Sequence, residues 1–167
     1  MLRIVVLGAA AGGGVPQWNC GCPVCARARG ENPDLISTQA SIAFSRDGAH
    51  WYLVNASPDL RQQLIAAPQL HPAKGQLRHS PIAGVILTNG EIDAVAGLLS
   101  MREGSPFSIY AHPRVLAISG FSLRAFTHTG HPQFHCGTPP PAAAPRTTMR
   151  SMIRFLVLKN LALETWP

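Results

Sequence analysis

Short apolar runs alternate with polar segments rich in glycine and proline along the first 118 residues of the chain. Five of these runs have the length and the β-branched or aromatic content of strands: residues 2–7, 41–45, 51–55, 83–87 and 107–111. The second run alternates apolar and polar positions, and Arg46-Asp47-Gly48 after it predicts a hairpin turn into the third. The chain is therefore predicted to begin with antiparallel strand pairing.

Helical segments are predicted between and after these strands, at residues 26–29, 58–67, 95–101 and 113–118. Gly30 and Pro33 end the first of them. Ser57 is predicted to cap the second, because Pro58 then takes the first helical position and Asp59 lies in the first turn. Strands that come first as hairpins and then alternate with helices are typical of an α/β (α+β) layered fold. In such folds the chemistry lies in loops at the carboxyl ends of strands.

Composition and charge narrow the class of protein. The chain has 167 residues, 46% of them hydrophobic, which is typical of about one globular domain. No apolar run in the sequence is long enough to span a bilayer, and glycines interrupt the run at residues 4–15, so we expect no export signal and a cytoplasmic location. Most of the net charge of +6 lies after residue 118, without interleaved aromatic residues, so no nucleic-acid partner is predicted.

The glycine-rich stretch LGAAAGGGVPQWNCGCPVC, residues 7–25, leads from the first strand into three closely spaced cysteines. Glycine and proline separate Cys20, Cys22 and Cys25, and thiolates at this spacing can converge on one soft tetrahedral cation such as zinc. Three unpaired thiols in a reducing compartment are the alternative. The stretch lacks the G-x-G-x-x-G fingerprint and the Lys-Ser/Thr pair of a P-loop, so nucleotide-phosphate binding is not predicted.

A second informative stretch follows the predicted strand at 83–87. Its sequence LTNGEIDAVAGL, residues 87–98, resembles a motif of the metallo-β-lactamase superfamily, in which an apolar strand and a threonine precede H-x-H-x-D-H-x-x-G-L. The aligned positions here hold Asn89, Glu91, Asp93 and Ala94, so all three histidines are replaced. That replacement argues against a generic hydrolase of the superfamily, because a zinc-bound hydroxide needs nitrogen-rich ligation.

Four segments carry a more specific resemblance: residues 7–25, 55–64 (NASPDLRQQL), 71–82 (HPAKGQLRHSPI) and 87–104 (LTNGEIDAVAGLLSMREG). Over about residues 1–118 the chain is similar to the pyrroloquinoline quinone (PQQ) biosynthesis protein B family. That family carries asparagine at the first histidine position and typically an acidic residue at the second, which Asn89 and Glu91 match. It keeps the aspartate, here Asp93, and usually has a histidine next, where this chain has Ala94.

The resemblance implies a metallo-β-lactamase-like αββα sandwich, of which residues 1–118 are the N-terminal half. It implies a structural zinc at the three cysteines, completed by a distant histidine. It also implies an active-site metal, iron or zinc, near Asn89, Glu91 and Asp93, with Asp93 as the catalytic residue. From the residues alone, a helix-capping role for Asp93 is the alternative.

The function that the resemblance implies is a cytoplasmic step of PQQ biosynthesis, a metal-dependent oxidation of the tyrosine-derived part of the precursor. The implied partners are PQQ or its peptide-derived precursor and other PQQ biosynthesis proteins. The alternative is a non-catalytic carrier that takes PQQ or its precursor towards the periplasm. Arg61, Lys74 and Arg78 would then be contacts for the acidic quinone.

The chain departs from the family in two ways. Ala94 has no donor atom, so we expect an open and weakly metallated pocket between the glycine-rich loop and the loop after residue 87. Residues 119–167 are rich in proline, alanine, histidine and arginine, and we expect a disordered basic tail with a short helix at 152–163. Our hypothesis is a truncated or frameshifted product with impaired activity. One cluster of potential ligands in the tail is then accidental: His128, His131, His135 and Cys136.

Overall fold

In the computed structural model, which describes residues 1–101, 105–117 and 135–136, the predicted strands form one mixed sheet. Its strands are β1 (Arg3–Gly8), β2 (Ser41–Ser45), β3 (Trp51–Val54), β4 (Ile82–Ile86), β5 (Ser108–Tyr110) and β6 (His135–Cys136). They lie side by side in chain order. The pairings β1–β2 and β2–β3 are antiparallel, and the pairings from β3 onwards are parallel. The strands predicted from residues 2–7, 41–45, 51–55, 83–87 and 107–111 are thereby confirmed, each within one or two residues at its ends.

Helices occupy the connections between the strands. They are α1 (Pro23–Gly30), α2 (Leu60–Ala66), α3 (Ile92–Val95) and α4 (residues 113–117), with 3-10 turns at Pro33–Leu35, Pro68–Leu70 and Ala96–Met101. Two of the predicted starts are wrong by three residues, because α1 begins inside the cysteine segment and α3 begins before residue 95. No helix in the described part of the chain is long and apolar enough to cross a membrane. The predictions for residues 118–134 and 137–167 lie outside the described residues.

The prediction that Ser57 caps α2 is wrong. The helix begins at Leu60 with Asp59 as its N-cap residue, and no side chain makes the capping hydrogen bond. Ser57 is instead fully buried, and its hydroxyl donates to Gln63 Oε1 at 3.3 Å. The hydroxyl is therefore used by a buried polar network rather than by the helix terminus.

The hydrophobic core lies between one face of the sheet and the helices. Ala43, Leu53, Val85 and Ile109 point into it from β2 to β5 and are buried. Leu60 of α2 and Leu98 of the last 3-10 turn cover them from the helical layer. Gly97 allows this contact, because a Cβ there would collide with the Ser57 carbonyl and the Leu60 side chain.

The opposite face of the sheet is also apolar. Ile4 and Val6 of the edge strand β1 are 60% and 66% exposed on this face. Their cross-strand neighbours continue it, since Phe44 stacks on Tyr52 with ring centroids 5.6 Å apart and Tyr52 lies 6.4 Å from Tyr110. On β2 the small residues face the helices and the large ones face away from them. Apolar residues on both faces are typical of a sheet that forms an inner layer.

Strand direction brings three connections to one edge of the sheet. Strands β1, β3 and β4 run the same way, because two antiparallel pairings separate β1 from β3 and the pairing of β3 with β4 is parallel. The glycine-rich loop, Asn55 and the loop that starts at Thr88 therefore follow strand ends at the same edge. This edge is where loop chemistry is expected in an open α/β sheet.

Candidate functional site

The structure brings the three predicted cysteine ligands together. The Sγ atoms of Cys20, Cys22 and Cys25 all lie within 4.8 Å of one another, and no other group of three or more His, Cys, Asp or Glu ligands forms in the described part of the chain. Cys22 is exposed, Cys20 half-buried and Cys25 buried. This is a converging set of soft donors, as the spacing predicted.

Helix α1 begins within this cluster. Cys22 is the N-cap residue, with Pro23 at the first helical position, and its Sγ accepts the backbone N–H of Cys25 at 3.5 Å. Hydrogen bonds from the Cys25 backbone, and then from the Cys20 and Cys25 thiols, lower the pKa of Cys22 to about 7. At Cys25 a backbone hydrogen bond from Gln17 lowers the pKa, but burial and the neighbouring thiols outweigh it. The pKa of Cys25 is therefore raised. One thiol is thus substantially ionised at neutral pH, as a metal ligand needs to be.

The segment before the cysteines is held by α1 itself. Arg29, in the last turn of the helix, donates from Nη2 to the carbonyl oxygens of Gln17 and Trp18. The N–H of Cys20 donates to the Gln17 carbonyl at 3.1 Å, which closes a turn just ahead of the cluster. The backbone ahead of the thiols is therefore fixed by hydrogen bonds within the protein chain.

The loop of the second predicted site is held at its start by Asn55, a residue to which the sequence analysis gave no role. Asn55, directly after β3, has φ of 63°, a left-handed conformation that asparagine tolerates better than most residues. Its Oδ1 accepts the backbone N–H of Thr88 at 2.9 Å and the Thr88 hydroxyl at 3.0 Å. Asn55 therefore joins the ends of β3 and β4. An Asn directly after a strand was the available sequence signal.

The loop after β4 uses its polar residues locally. Asn89 Oδ1 accepts the backbone N–H of Glu91 at 2.9 Å, and Asn89 Nδ2 donates to Thr88 Oγ1 at 3.3 Å. Glu91 is exposed and is the N-cap residue of α3. Asp93 lies in the first turn of α3 and is not its cap, so the helix-capping alternative for Asp93 is wrong.

Asp93 points at the glycine-rich loop. A Cβ atom built on Gly12 would collide with Asp93 Oδ2 and lie 3.2 Å from Asp93 Cγ, so the Asp93 carboxylate occupies the space that the missing side chain leaves. The two loops that were predicted to enclose a pocket meet at this point, and the pocket itself stays a prediction. The methyl group of Ala94 is buried, and its carbonyl accepts the N–H of Ala56 at 2.8 Å. Ala94 thus serves packing between α3 and the end of β3.

The two predicted metal sites differ in how well the residues fit a metal. The three cysteines supply converging soft donors, one of low pKa, and fit a zinc ion. At the other site Asn89 Oδ1 already accepts a backbone N–H, Ala94 offers no donor, and only two carboxylates, Glu91 and Asp93, remain. These residues by themselves do not fit a tightly bound metal ion.

A buried polar network below the glycine-rich loop also escaped the sequence analysis. Gln39, only 5% exposed, accepts the N–H of Gly13 on its Oε1 at 3.1 Å and donates from Nε2 to Asp59 Oδ2 at 3.2 Å. Gln63 Nε2 donates to Thr38 Oγ1 at 3.0 Å and to the Gln39 carbonyl at 2.7 Å. These partners are separated by 20 residues or more in sequence, so no local pattern could indicate them.

A cavity of about 630 Å³ lies at the other end of the sheet, where β4 and β5 begin. Three of its lining residues are His50, His71 and His79. Each ring is held on one nitrogen: His50 Nδ1 by Asp47 at 2.7 Å, His71 Nε2 by the Ile65 carbonyl at 2.9 Å, and His79 Nδ1 by a backbone N–H at 3.2 Å. The three rings do not converge as a metal-binding group, so the glycine-rich edge remains the candidate site.

Comparison with known proteins agrees with this geometry. The family model described as "Beta-lactamase superfamily domain" matches residues 50–138. Coenzyme PQQ synthesis protein B of Rhodopseudomonas palustris is 79% identical over 118 residues, an alignment that covers 71% of this chain and 38% of that protein. Its counterpart from Bradyrhizobium diazoefficiens is 75% identical over the same length and with the same coverage. The chain thus spans about two fifths of the length of these curated relatives, 38% in both cases.

Solved structures give the same result. Zinc-bound PqqB from Methylobacterium extorquens superposes with a TM-score of 0.66 and 55% identity, covering 76% of this chain and 41% of that chain. A diphosphatase of the PhnP family, at 22% identity, has a TM-score of 0.59 over 75% of this chain and 47% of that chain, which indicates a shared fold. The metallo-β-lactamase fold and the family resemblance inferred from the sequence motifs are therefore confirmed.

Proposed function

The chain belongs to the β-lactamase superfamily, and on that premise we propose that it acts in PQQ biosynthesis, at an oxidative step on the peptide-derived precursor. The observation that carries the proposal is the 79% identity to a coenzyme PQQ synthesis protein B over 118 residues. Identity this high over 118 residues supports a shared chemistry.

We propose that Cys20, Cys22 and Cys25 hold a structural zinc ion. The supporting observations are the mutual approach of the three Sγ atoms and the low pKa of Cys22. When bound, zinc would act as a cross-link within the loop and supply no reacting group. Zinc-bound PqqB from Methylobacterium extorquens has the same fold over most of this chain, which agrees with a zinc protein.

We assign the catalytic role at the glycine-rich edge to Asp93. Its carboxylate is half-buried against Gly12 and lies at the carboxyl ends of the parallel strands. Asn89 and Glu91 shape the loop that carries it. Because these residues alone do not fit a tightly bound metal, we expect any iron or zinc at this edge to bind weakly unless further ligands are supplied.

Precursor turnover tests the proposal. Residues 1–117 of this chain would be joined to the remainder of the Rhodopseudomonas palustris relative and incubated with precursor and iron(II) or zinc. We expect precursor to be consumed, as monitored by mass spectrometry. Asp93→Asn should lower the rate of consumption at least tenfold, since general acid–base or ligand roles are typically worth that much or more. Glu31→Gln, an exposed carboxylate beyond α1, is the matched control.

The same assay separates the enzyme from a carrier. A carrier would bind PQQ without consuming precursor, and charge-removing changes at Arg61, Lys74 and Arg78 would weaken that binding. A protein that neither consumes precursor nor binds PQQ would contradict both forms of the proposal.

A further inference from the structure

The hydrogen bonds of Asp59 lead to the glycine-rich loop and not to the helix that Asp59 begins. Its Oδ2 accepts the backbone N–H of Gln39 at 2.9 Å and the side-chain Nε2 of Gln39 at 3.2 Å. It makes no side-chain capping bond to α2, although it occupies the N-cap position. In the described part of the chain, all hydrogen bonds of this carboxylate therefore go to Gln39.

The carboxylate fixes which way the amide of Gln39 faces. An ionised aspartate only accepts hydrogen bonds, so the NH₂ group of Gln39 must face Asp59 and its oxygen must face the other way. That oxygen accepts the N–H of Gly13 at 3.1 Å. Gln39 is buried, so water cannot readily replace either bond. The Asp59 carboxylate, the Gln39 amide and the Gly13 N–H therefore form a hydrogen-bonded chain, here called the relay, in which each bond can have only one donor and one acceptor.

The relay ends where the loop contacts the candidate site. Gly13 and Gly14 have φ of 89° and 71°, and the N–H of Gly14 closes a turn on the Ala11 carbonyl at 3.0 Å. The bond from the Gly13 N–H to Gln39 ties this turn to the buried network. The neighbouring residue, Gly12, packs directly on the carboxylate of Asp93. A displacement of Gly13 therefore moves the surface against which Asp93 rests.

We propose that Asp59 and Gln39 are positioning residues that hold the glycine-rich loop against Asp93 and so set the orientation of its carboxylate. The proposal deepens the proposed function and rests on it only in taking Asp93 as the working group of the site. Asp59 is 34 positions from Asp93 in the sequence and acts through Gln39 and the loop.

The first test replaces Asp59 in the full-length chain and follows backbone amides by NMR. Asp59→Ala should break the relay, speed hydrogen exchange at Gly13 by about tenfold and shift the amide signals of Gly12 and Asp93. Asp59→Asn should restore the wild-type signals, because its amide oxygen can accept both bonds from Gln39. Leu64→Ala, which removes core packing from the same helix, controls for loss of stability and should leave the Gly12 and Asp93 signals in place.

The second test asks whether the two residues act as a unit. In Gln39→Met the side chain has a similar length but lacks the hydrogen bonds that the Gln39 amide makes to Gly13 and to Asp59. The variant should reproduce the shifts of Asp59→Ala. The double variant should shift Asp93 no further than either single one, because residues of one network are not additive. Additive shifts, or an Asp59→Asn variant that behaves like Asp59→Ala, would overturn the relay. These readouts need neither metal nor precursor, so they succeed or fail independently of the turnover assay.

Discussion

At the scale of single residues, the contact of Gly12 with Asp93 links the two loops of the candidate site. The sequence shows four glycines between residues 8 and 14, but it does not show which of them is required. The structure gives each a different surrounding, and only at Gly12 is the missing side chain replaced by a carboxylate of the site.

We expect Gly12→Ala to displace the Asp93 side chain with little loss of stability. The added methyl group collides only with the carboxyl end of this half-buried side chain, which can turn away from it. Gly21→Ala is the matched control, since a Cβ there meets nothing within 4 Å. Urea unfolding and the Asp93 amide signal measure the two effects. Equal behaviour of the two variants would show that the contact is absent in solution.

We expect Asn55→Ala to lower stability by about 2–3 kcal/mol. The variant loses two accepted hydrogen bonds at Thr88 and keeps an unfavourable left-handed backbone at residue 55. Asn55→Asp retains an oxygen that can accept both bonds and should lie much closer to the wild type. Chemical denaturation of the three proteins checks the order, and a fully stable alanine variant would refute the role given to Asn55.

At the scale of elements, α1 and the cysteine loop form one unit. The sequence pattern predicts a helix from residue 26, after the cysteines. Cysteine is not among the usual N-cap residues, so the sequence does not indicate the earlier start. The helix begins at Pro23, with the Cys22 sulfur in the capping position. The proposed zinc ligands are thus part of the helix terminus, and we expect zinc binding to order the start of the helix.

The lowered pKa of Cys22 predicts a pH dependence. The fold favours the thiolate, taking the pKa from an ordinary 9.0 to about 7, so its contribution is present at alkaline pH and is lost as pH falls through 7. Zinc competes with the same proton. The pKa of Cys25 is raised, so we expect apparent zinc affinity to fall already from alkaline to neutral pH and more steeply below about pH 7, where Cys22 also takes up a proton. We expect Cys22→Ser to release the metal. Elemental analysis measures the zinc content, and Ser41→Ala is the control for folding. A wild-type protein without zinc would contradict the site.

The elements show which features a sequence pattern can predict. Alternation and turn residues sufficed for β2 and β3, since both signals are local. The spacing of the cysteines sufficed for their convergence, because six residues with glycine and proline have few compact paths. The partners Gln39, Asp59 and Gly13 could not be predicted, because tertiary folding alone brings them together. For the same reason the pattern gave Ser57 a capping role, while the folded chain buries its hydroxyl.

At the scale of the whole molecule, the sheet has one covered and one uncovered apolar face among the described residues. The helices cover the face of Leu53 and Val85. The face of Ile4, Val6 and Phe44 has no such layer in the described part of the chain. In a layered fold such a face is normally buried by another layer, so on its own it favours self-association.

Two neighbouring positions of β1 test this difference. Val6→Lys places a charge on the uncovered face and should reduce self-association and dye binding with little loss of stability. Val5→Lys places the same charge on the core side, where it should cost several kcal/mol or prevent folding. Sedimentation and urea unfolding provide the readouts. A wild-type protein that is monomeric and binds no hydrophobic dye would contradict the expectation that the uncovered apolar face drives self-association.

The order of the strands has a consequence for synthesis. Each strand of the sheet lies beside the one made just before it, from β1 to β5. A ribosome therefore releases the strands in the sequence in which they pair, and no strand has to wait for a distant partner still to be translated. The connections between neighbouring strands range from five residues, between β2 and β3, to 32 residues, between β1 and β2. Loop-closure entropy grows only slowly with length, so this order favours growth of the sheet during elongation. The glycine-rich edge, built from connections after β1, β3 and β4, is then complete as a nascent structure once α3 has left the ribosome.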